Sequence, residues 1–348
     1  MKTRISKSKI LVITAVTLLL AVTAAFFAAC NDDKTPSGEG KIGGRTVVPE
    51  IVAETQIAAE MATEKADIII MPTNAAANLY NQSPKYKMVT SITMGILYII
   101  GKGGETGELT LDALKGKRLA SIGAGNVPQK VLEKVLTAKG IAFDSAAGEG
   151  SADTNAVKIS YVANGAAVKA ALDAGQADYG LLGEPAATLF SSAYPLRLSL
   201  QDLWKEISGK DSYPQASLFM KANLIESDPG FVAAVVEELR NSLDWVNENK
   251  AEITAILQSK GSATAFPPES IARCNLQISY AADIKDAVKE FLSAVNGADK
   301  VPDDGFFYTP AAVVPAPKGS GDTLRFAFPD GAPALAAAKI LNAYGAAV

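Results

Sequence analysis

Histidine is absent from this chain of 348 residues. Ser-His-Asp and Cys-His nucleophile systems and histidine-ligated zinc sites are therefore excluded, and most mechanisms of secreted hydrolases are excluded with them. Catalysis by carboxylates or by a Ser-Lys pair stays open, but no spacing in the chain indicates either. We expect no catalytic residue, no metal site and no cofactor.

Cysteine is nearly absent as well, because the chain contains only Cys30 and Cys274. An uncharged run at 10–29 follows a basic N-terminus and ends at Cys30, a layout typical of an export signal. Small residues before Cys30 and polar residues after it resemble a lipoprotein processing site, at which the thiol is acylated. We therefore predict a signal peptide over residues 1–29 and lipidation of Cys30, which leaves Cys274 as a lone, buried thiol and excludes an intrachain disulfide.

The same apolar run has an alternative interpretation as a permanent transmembrane helix, since about 20 apolar residues can span a bilayer. Membrane anchoring is expected under either interpretation. Without the four basic residues that precede this run, the formal net charge falls from −4 to −8, which argues against nucleic acid as a partner. The remaining chain, roughly 318 residues, is long enough for two lobes.

The chain after the signal is predicted to begin with a flexible tether at residues 30–44, which are polar and rich in glycine. From Arg45 onward, short β-branched runs alternate with helical patterns, and this alternation predicts an α/β fold with parallel strands. The predicted strands cover 46–48, 66–71, 88–100, 117–122, 157–161, 179–182 and 216–221. The predicted helices cover 54–65, a segment after Thr73, 128–139, 166–174, 229–249, 251–259 and 283–296.

A further strand-turn-helix unit follows a break in this pattern. Residues 309–321 are rich in proline, alanine and glycine, which predicts a linker. Residues 324–328 then predict a strand, 329–333 a tight turn and 334–341 a helix.

Five segments, taken in their order and spacing, resemble the solute-binding proteins of ABC importers in the nitrate, sulfonate and thiamine-precursor branch. They are ADIIIMPTNAAANLY (66–80), SITMGILYI (91–99), LDALKGKRLASIGAGNVPQKVLEKVLTAKGI (111–141), VKISYVANGAAVKAALDAGQADYGLLGEPAAT (157–188) and DLWKEISGKDSYPQASLFM (202–220). The resemblance covers nearly all of residues 45–348. It implies a two-lobed, periplasmic-binding-protein-like (type II) α/β fold, with parallel-rich sheets flanked by helices and a ligand cleft between the lobes.

One departure from the family is the place of the strand-turn-helix unit, which opens the mature protein in the family and comes last in this sequence. We interpret this order as a circular permutation, and two alternatives stay open: a unit swapped into a neighbouring molecule, and the start of a truncated second copy. The predicted lobe I comprises 45–100, 214–308 and 322–348. The predicted lobe II comprises 101–213, and the linker lies at 309–321.

The ligand is expected beyond the carboxyl ends of the strands, where helix N-termini present unpaired N–H groups. The ligand-binding residues predicted from the loops at that place, and from the crossing segments, are Asn74, Thr93, Gly95, Gly125, Asn126, Glu184, Tyr213, Asp330, Gly331 and Ala332. Some of them also have a purely structural interpretation: Asn74 and Glu184 as helix caps, and Tyr213 as a core residue.

The function implied by the resemblance is that of an extracytoplasmic solute-binding component of an ABC importer, anchored by lipid to the cell membrane. Its lobes close on a small organic solute without turnover and deliver it to a membrane permease; a monomer is expected. Helix N-termini suit an anion such as a sulfonate or nitrate, whereas Glu184 and the tyrosines suit a nitrogen heterocycle such as a thiamine precursor, which we favour.

Two other functions stay open from the sequence. One is an enzyme similar to that of thiamine-pyrimidine synthesis, whose chemistry resembles one that needs an active-site histidine, which this chain lacks. The other is a lipoprotein that presents its ligand to a sensor rather than to a permease.

Overall fold

The computed structural model describes residues 41–103, 109–145 and 154–346. The predicted signal peptide, Cys30 and nearly all of the predicted tether lie outside these residues. Within them, no helix combines the length and the apolar character that are needed to cross a bilayer.

Strands and helices alternate along the described chain, which confirms the predicted α/β architecture. The strands are β1 (Lys41–Ile42), β2 (Arg45–Val52), β3 (Ile68–Pro72), β4 (Tyr86–Met94), β5 (Leu97–Gly101), β6 (Arg118–Ser121), β7 (Phe143–Asp144), β8 (Val157–Tyr161), β9 (Tyr179–Gly183), β10 (Leu196–Ser199), β11 (Pro214–Lys221) and β12 (Thr323–Pro329). The α-helices are α1 (Ile57–Ala62), α2 (Thr73–Gln82), α3 (Val127–Ala138), α4 (Gly165–Asp173), α5 (Ala186–Leu189), α6 (Leu200–Ser208), α7 (Ala222–Ser227), α8 (Pro229–Glu248), α9 (Ile253–Gln258), α10 (Pro268–Ile271), α11 (Lys285–Asn296), α12 (Ala332–Ala336) and α13 (Ala338–Tyr344). Short 3-10 helices cover Leu111–Leu114, Ala272–Cys274, Ala298–Lys300 and Asp304–Phe306.

The first sheet has the strand order β1-β2-β12-β3-β11-β4. β12 runs parallel to both β2 and β3, whereas β11 runs antiparallel to β3 and β4. β1 and β2 form a hairpin whose turn residues, Gly43 and Gly44, have φ angles of 52° and 77°. Positive φ at both central residues gives the turn the twist that a two-residue hairpin needs.

β3 shows why the run at 66–71 is apolar throughout. Ile69 and Met71 belong to a core cluster that also includes residues of α1 and α2, while Ile68 and Ile70 belong to a second cluster with residues of α8 and α13. All four side chains are fully buried. A strand covered on both faces carries apolar residues at consecutive positions, so the run lacks the alternation of a half-exposed strand.

β12, the strand predicted at 324–328, lies in the interior of the first sheet. Phe326 pairs with Pro49 of β2 on one side and with Ile68 of β3 on the other, within the same molecule. The rings of Phe326 and Phe328 are fully buried and pack edge to face, with centroids 5.0 Å apart. The single helix predicted at 334–341 is two helices, α12 and α13, which are interrupted at Ala337.

The second sheet has the strand order β10-β5-β9-β6-β8-β7. β9, β6, β8 and β7 run parallel to one another, β5 is antiparallel to β9, and β10 is antiparallel to β5. All its strands come from one continuous part of the chain between β4 and β11, whereas the first sheet is assembled from the parts on either side. The predicted lobe boundaries stay a prediction.

The strand predicted at 88–100 is two strands, β4 and β5, which belong to different sheets. Where β4 passes into β5, three consecutive backbone N–H groups donate to side chains in the stretch from α6 to the start of β11, which returns from the second sheet to the first. These bonds are Gly95 to Ser212 (2.9 Å), Ile96 to Gln215 (3.1 Å) and Leu97 to Gln201 (2.8 Å). The two crossing segments therefore hold each other through side-chain hydrogen bonds.

Gly95 is the tightest point of this crossing. A Cβ atom added to Gly95 would lie 2.8 Å from Cζ of Tyr213 and 2.8 Å from Cγ of Gln201. Tyr213 is fully buried and its ring packs against Trp204 and Phe291, so it has no space into which to withdraw.

We therefore expect Gly95→Ala to lower the free energy of unfolding by about 1–3 kcal/mol, the usual cost of overpacking a filled core. Urea denaturation measures this quantity. Gly321→Ala is the matched control, because a Cβ at Gly321 meets no atom within 4 Å. Equal stability of the two variants would contradict the close packing at Gly95.

The linker predicted at 309–321 forms neither helix nor strand. Part of it is held at the start of α8, where the buried carboxylate of Asp228 accepts hydrogen bonds from the N–H groups of Lys318 (3.1 Å) and Phe231 (3.1 Å). Asp228 also pairs with the guanidinium of Arg45 at 3.2 Å. One buried carboxylate thus connects β2, α8 and the linker.

Candidate functional site

A cleft with a volume of about 350 Å³ lies between the two sheets. The first sheet contributes the carboxyl ends of β3, β4 and β12 and the beginning of the antiparallel β11; the second sheet contributes the end of β9 and the loop after β6. Parallel strands end at one edge of a sheet, so the loops and helix starts that follow them meet at this place.

The walls of the cleft are mainly apolar. The larger apolar side chains that line it are Ile96, Ile122, Val127, Leu182, Leu189 and Phe190. Within the described residues, neither a lysine nor an arginine lines it, and its charged lining residues are Glu54, Glu184 and Asp330.

Six of the ten predicted ligand residues line this cleft: Thr93, Asn126, Glu184, Asp330, Gly331 and Ala332. Asn126 immediately precedes α3, but its side chain makes no hydrogen bond to the start of that helix. Its amide therefore stays available to a solute.

Glu184 lines the cleft, but its carboxylate is used within the protein. The backbone N–H and the hydroxyl of Thr188 donate to it at 3.0 Å each, and Arg197 forms an ion pair with it. Arg273 in turn donates to the hydroxyl of Thr188 at 2.8 Å. These contacts agree with the helix-cap interpretation of Glu184, because a fully buried carboxylate with three donors has little capacity left for a ligand.

Asp330 is used in a similar way at the turn between β12 and α12. Its carboxylate accepts hydrogen bonds from the hydroxyl of Ser262 (2.6 Å) and from the N–H groups of Ala263 and Gly331 (2.8 Å each). It therefore fixes the loop around Ser262 against the turn after β12.

Asn74 and Gly125 contact each other rather than the cleft. The side-chain amide of Asn74, at the start of α2, donates to the carbonyl oxygen of Gly125, in the loop after β6, at 3.2 Å. This hydrogen bond joins the segments that follow β3 of the first sheet and β6 of the second sheet. Asn74 is fully buried, and its Oδ1 has no hydrogen-bond partner among the described residues.

Gly95 and Tyr213 lie behind the cleft and do not line it. The hydroxyl of Tyr213 donates to Gln201 at 2.9 Å, and its ring stacks on Phe291 with centroids 5.6 Å apart. Burial raises the pKa of Tyr213 well above its ordinary value. Tyr213 belongs to the core, and Gly95 leaves room for its ring, so a contact of either residue with the ligand stays a prediction.

Among the solved structures that resemble this chain are three with TM-scores above 0.5. A protein from Parabacteroides distasonis, described as an ABC transporter, has a TM-score of 0.57 and 22% identity, over 74% of this chain and 86% of that one. The periplasmic aliphatic sulphonate binding protein SsuA of Escherichia coli has a TM-score of 0.52 and 15% identity, over 76% and 82%. The alkanesulfonate-binding protein SsuA of Xanthomonas axonopodis pv. citri, bound to MOPS, has a TM-score of 0.51 and 16% identity, over 72% and 82%.

The described chain has two sheets with flanking helices and two segments that cross between the sheets. It has a type II periplasmic binding protein fold. Identities of this size support the fold alone. Neither a protein-family model nor a curated protein sequence matches the chain.

The sequence patterns did not predict that Glu54 lines the cleft of this type II fold. Glu54 lies in the loop between β2 and α1 and lines both the cleft and an adjoining pocket of about 360 Å³. Asn126 lines the same two pockets from the second sheet. The pattern at 54–65 predicted a helix that begins at Glu54, whereas α1 begins at Ile57 and Glu54 lies in the loop before it.

Proposed function

We propose that this protein is the extracytoplasmic solute-binding component of an ABC importer, and that the two halves of its fold close on a small organic solute. The observation that carries this proposal is the cleft between the two sheets, which receives lining residues from both and is mainly apolar with a few polar groups. Such a composition is typical of small-molecule sites, where apolar walls supply burial and a few polar groups supply orientation.

The ligand residues in this proposal are Asn126 and Thr93, with the backbone at Gly331 and Ala332. Asn126 comes from the second sheet and the others from the first, so closure brings both sets onto one solute. The candidate solutes are a nitrogen heterocycle resembling a thiamine precursor and an anion of the sulfonate or nitrate type.

The proposal includes the membrane attachment and the order of the chain. Export over residues 1–29 and acylation at Cys30 would hold the monomeric protein on the extracytoplasmic face, where it can deliver solute to a permease. We also propose that the chain is circularly permuted relative to its structural relatives. The position of β12 between β2 and β3 supports this, because a strand made late occupies an interior place in the first sheet.

The proposed function is tested by a thermal-shift screen of the full chain, purified in detergent, against pyrimidines, sulfonates, nitrate and carboxylates. A ligand that binds only the native state raises the melting temperature. At a ligand concentration of 100 times its Kd, the free energy of unfolding increases by about 2.7 kcal/mol. Small-angle scattering with a ligand from the screen is expected to show a smaller radius of gyration. Turnover of the ligand, or no shift from any compound, would contradict the proposal.

Ala166→Trp supplies the matched control for the screen. Ala166 is exposed and lines the cleft, so a tryptophan there fills the ligand space without disturbing the core. Ala311→Trp places the same side chain in the exposed linker. We expect Ala166→Trp to abolish the thermal shift and Ala311→Trp to retain it.

A further inference from the structure

The cleft carries negative charge without a matching positive group in its lining. Three carboxylates line the cleft or the adjoining pocket, and within the described residues neither pocket has a lysine or an arginine in its lining. The carboxylates of Glu184 and Asp330 are already bound to donors of the protein, as described above. They are therefore part of the framework of the cleft.

Glu54 differs from the other two carboxylates. Its side chain has neither a hydrogen bond nor an ion pair with any part of the chain that the structure describes, although it is partly buried where the cleft and the adjoining pocket meet. Burial raises the pKa of Glu54 above its ordinary value of 4.5. A carboxylate that loses water without gaining a donor is unfavourable, and a ligand that brings a donor removes this cost.

We propose that Glu54 determines the ligand class, and that the solute carries a positively charged nitrogen, such as an amidinium or a protonated aminopyrimidine, that pairs with this carboxylate. This inference rests on the proposed function and narrows it, because it selects a nitrogen cation over the sulfonate or nitrate type of anion. The apolar walls hold the remainder of the solute, and the amide of Asn126 faces the same space from the second sheet.

The helix starts at the cleft do not reverse this preference. An anion would gain from the partial positive charge of a helix N-terminus, which is about half an elementary charge. In α4 one N–H group of the first turn is already bonded, because the side chain of Asn164 accepts from the N–H of Ala167 at 3.0 Å. A bound anion would also lie in the same space as the full negative charge of Glu54.

The test uses three probes of similar size that differ in charge: benzamidinium, benzamide and benzenesulfonate. Their binding to the full chain in detergent is measured by isothermal titration calorimetry at neutral pH. We expect benzamidinium to bind most tightly, and Glu54→Gln to weaken it by about 30-fold or more, as for loss of one partner of a buried charge pair. The affinity for benzamide is expected to change little in Glu54→Gln. Glu54→Lys is expected to bind benzenesulfonate more tightly than benzamidinium.

Glu237→Gln is the matched control, because it removes the same charge from the exposed face of α8. It is expected to leave the binding of all three probes unchanged. Benzenesulfonate that binds wild-type protein as tightly as benzamidinium, or benzamidinium that binds equally to Glu54→Gln, overturns the role of Glu54. If none of the probes binds, the ligand class is overturned, and the thermal-shift screen tests separately whether the cleft binds solutes.

A second readout does not depend on any ligand. Because the folded protein holds a proton on Glu54 more strongly than the unfolded chain does, the contribution of Glu54 to the stability of the ligand-free protein should fall as pH rises from 4.5 through the raised pKa. Glu54→Gln should lose this component while keeping its fold. The other titratable side chains lining the two pockets, Glu184, Asp330 and Tyr161, are retained in the variant, so the difference between the two pH profiles belongs to Glu54. Identical profiles would contradict the burial of an unpaired carboxylate.

Discussion

Removal of residues 322–348 should leave a chain without a cooperative unfolding transition. β12 pairs with β2 and β3 at once, so its loss separates these strands and leaves two unpaired edges inside the first sheet. It also exposes Ile68 and Ile70, whose cluster includes most of α12 and α13. The total stability of a domain is about 5–15 kcal/mol, which the loss of an interior strand and two helices exceeds. Urea denaturation followed by circular dichroism measures the transition.

A rearranged chain distinguishes the presence of β12 from its place in the sequence. In this chain residues 314–346 come first, followed by a short Gly-Ser linker and residues 41–313. We expect it to recover the cooperative transition, because the strand reaches the same neighbours from the other direction. Failure of the rearranged chain to fold, or cooperative unfolding of the truncated one, would contradict the central role of β12 and the proposed permutation.

A single substitution tests the same packing on a smaller scale. Phe326→Ala is expected to lower the free energy of unfolding by about 3–5 kcal/mol, since the ring is fully buried. Val313→Ala is expected to change it by less than about 0.5 kcal/mol, because Val313 is 85% exposed in the linker.

Asp228→Ala should lower the free energy of unfolding by about 3–5 kcal/mol, the usual cost of leaving a buried partner charge unpaired. The substitution strands the guanidinium of Arg45, whose side chain is 9% exposed. It also removes the cap of α8 at Phe231 and the acceptor for the N–H of Lys318. Chemical denaturation at neutral pH gives the value.

Asp322→Asn is a control on the same arginine. Asp322 lies 3.7 Å from Arg45, but its side chain is 76% exposed, so solvent screens the pair. We expect a change of at most about 1 kcal/mol. If both variants lose equal stability, burial of Asp228 is not the source of its effect.

The contribution of Asp228 also depends on pH. Burial alone would raise the pKa of Asp228, but the N–H groups of Lys318 and Phe231 and the guanidinium of Arg45 more than offset burial and hold the pKa below 3.8. The folded protein therefore binds this proton less strongly than the unfolded chain does. The contribution of Asp228 to the free energy of unfolding is present above pH 3.8 and is lost as pH falls through the lowered pKa.

The sequence predicted those parts of the fold that depend on local pattern. The buried run at 66–71, the strand at 157–161 and the strand at 324–328 each gave an element close to its predicted bounds, because period and turn residues are local signals. The division of 88–100 between two sheets was not predicted. It depends on acceptors from Ser212, Gln215 and Gln201, which are distant in the sequence and have no local signature.

The candidate site was predictable in its place but not in its chemistry. Strand ends and helix starts located Asn126 and Asp330 at the cleft, because that placement follows from topology. Whether a polar group is free to bind a ligand depends on its hydrogen-bond and ion-pair partners, which only the fold reveals. Glu184 forms an ion pair with Arg197, whereas Glu54 has no such partner within the described residues. Tyr213 next to a strand end has the same pattern whether it faces a ligand or the core.

The position of β12 also bears on how the protein is made. β2 and β3 leave the ribosome early, yet the strand that must pair with both is translated only after most of the described chain. Until then two apolar strand edges stay open, and contacts of such long sequence separation form slowly. The nascent chain consequently stays unable to complete its first sheet until β12 has been translated.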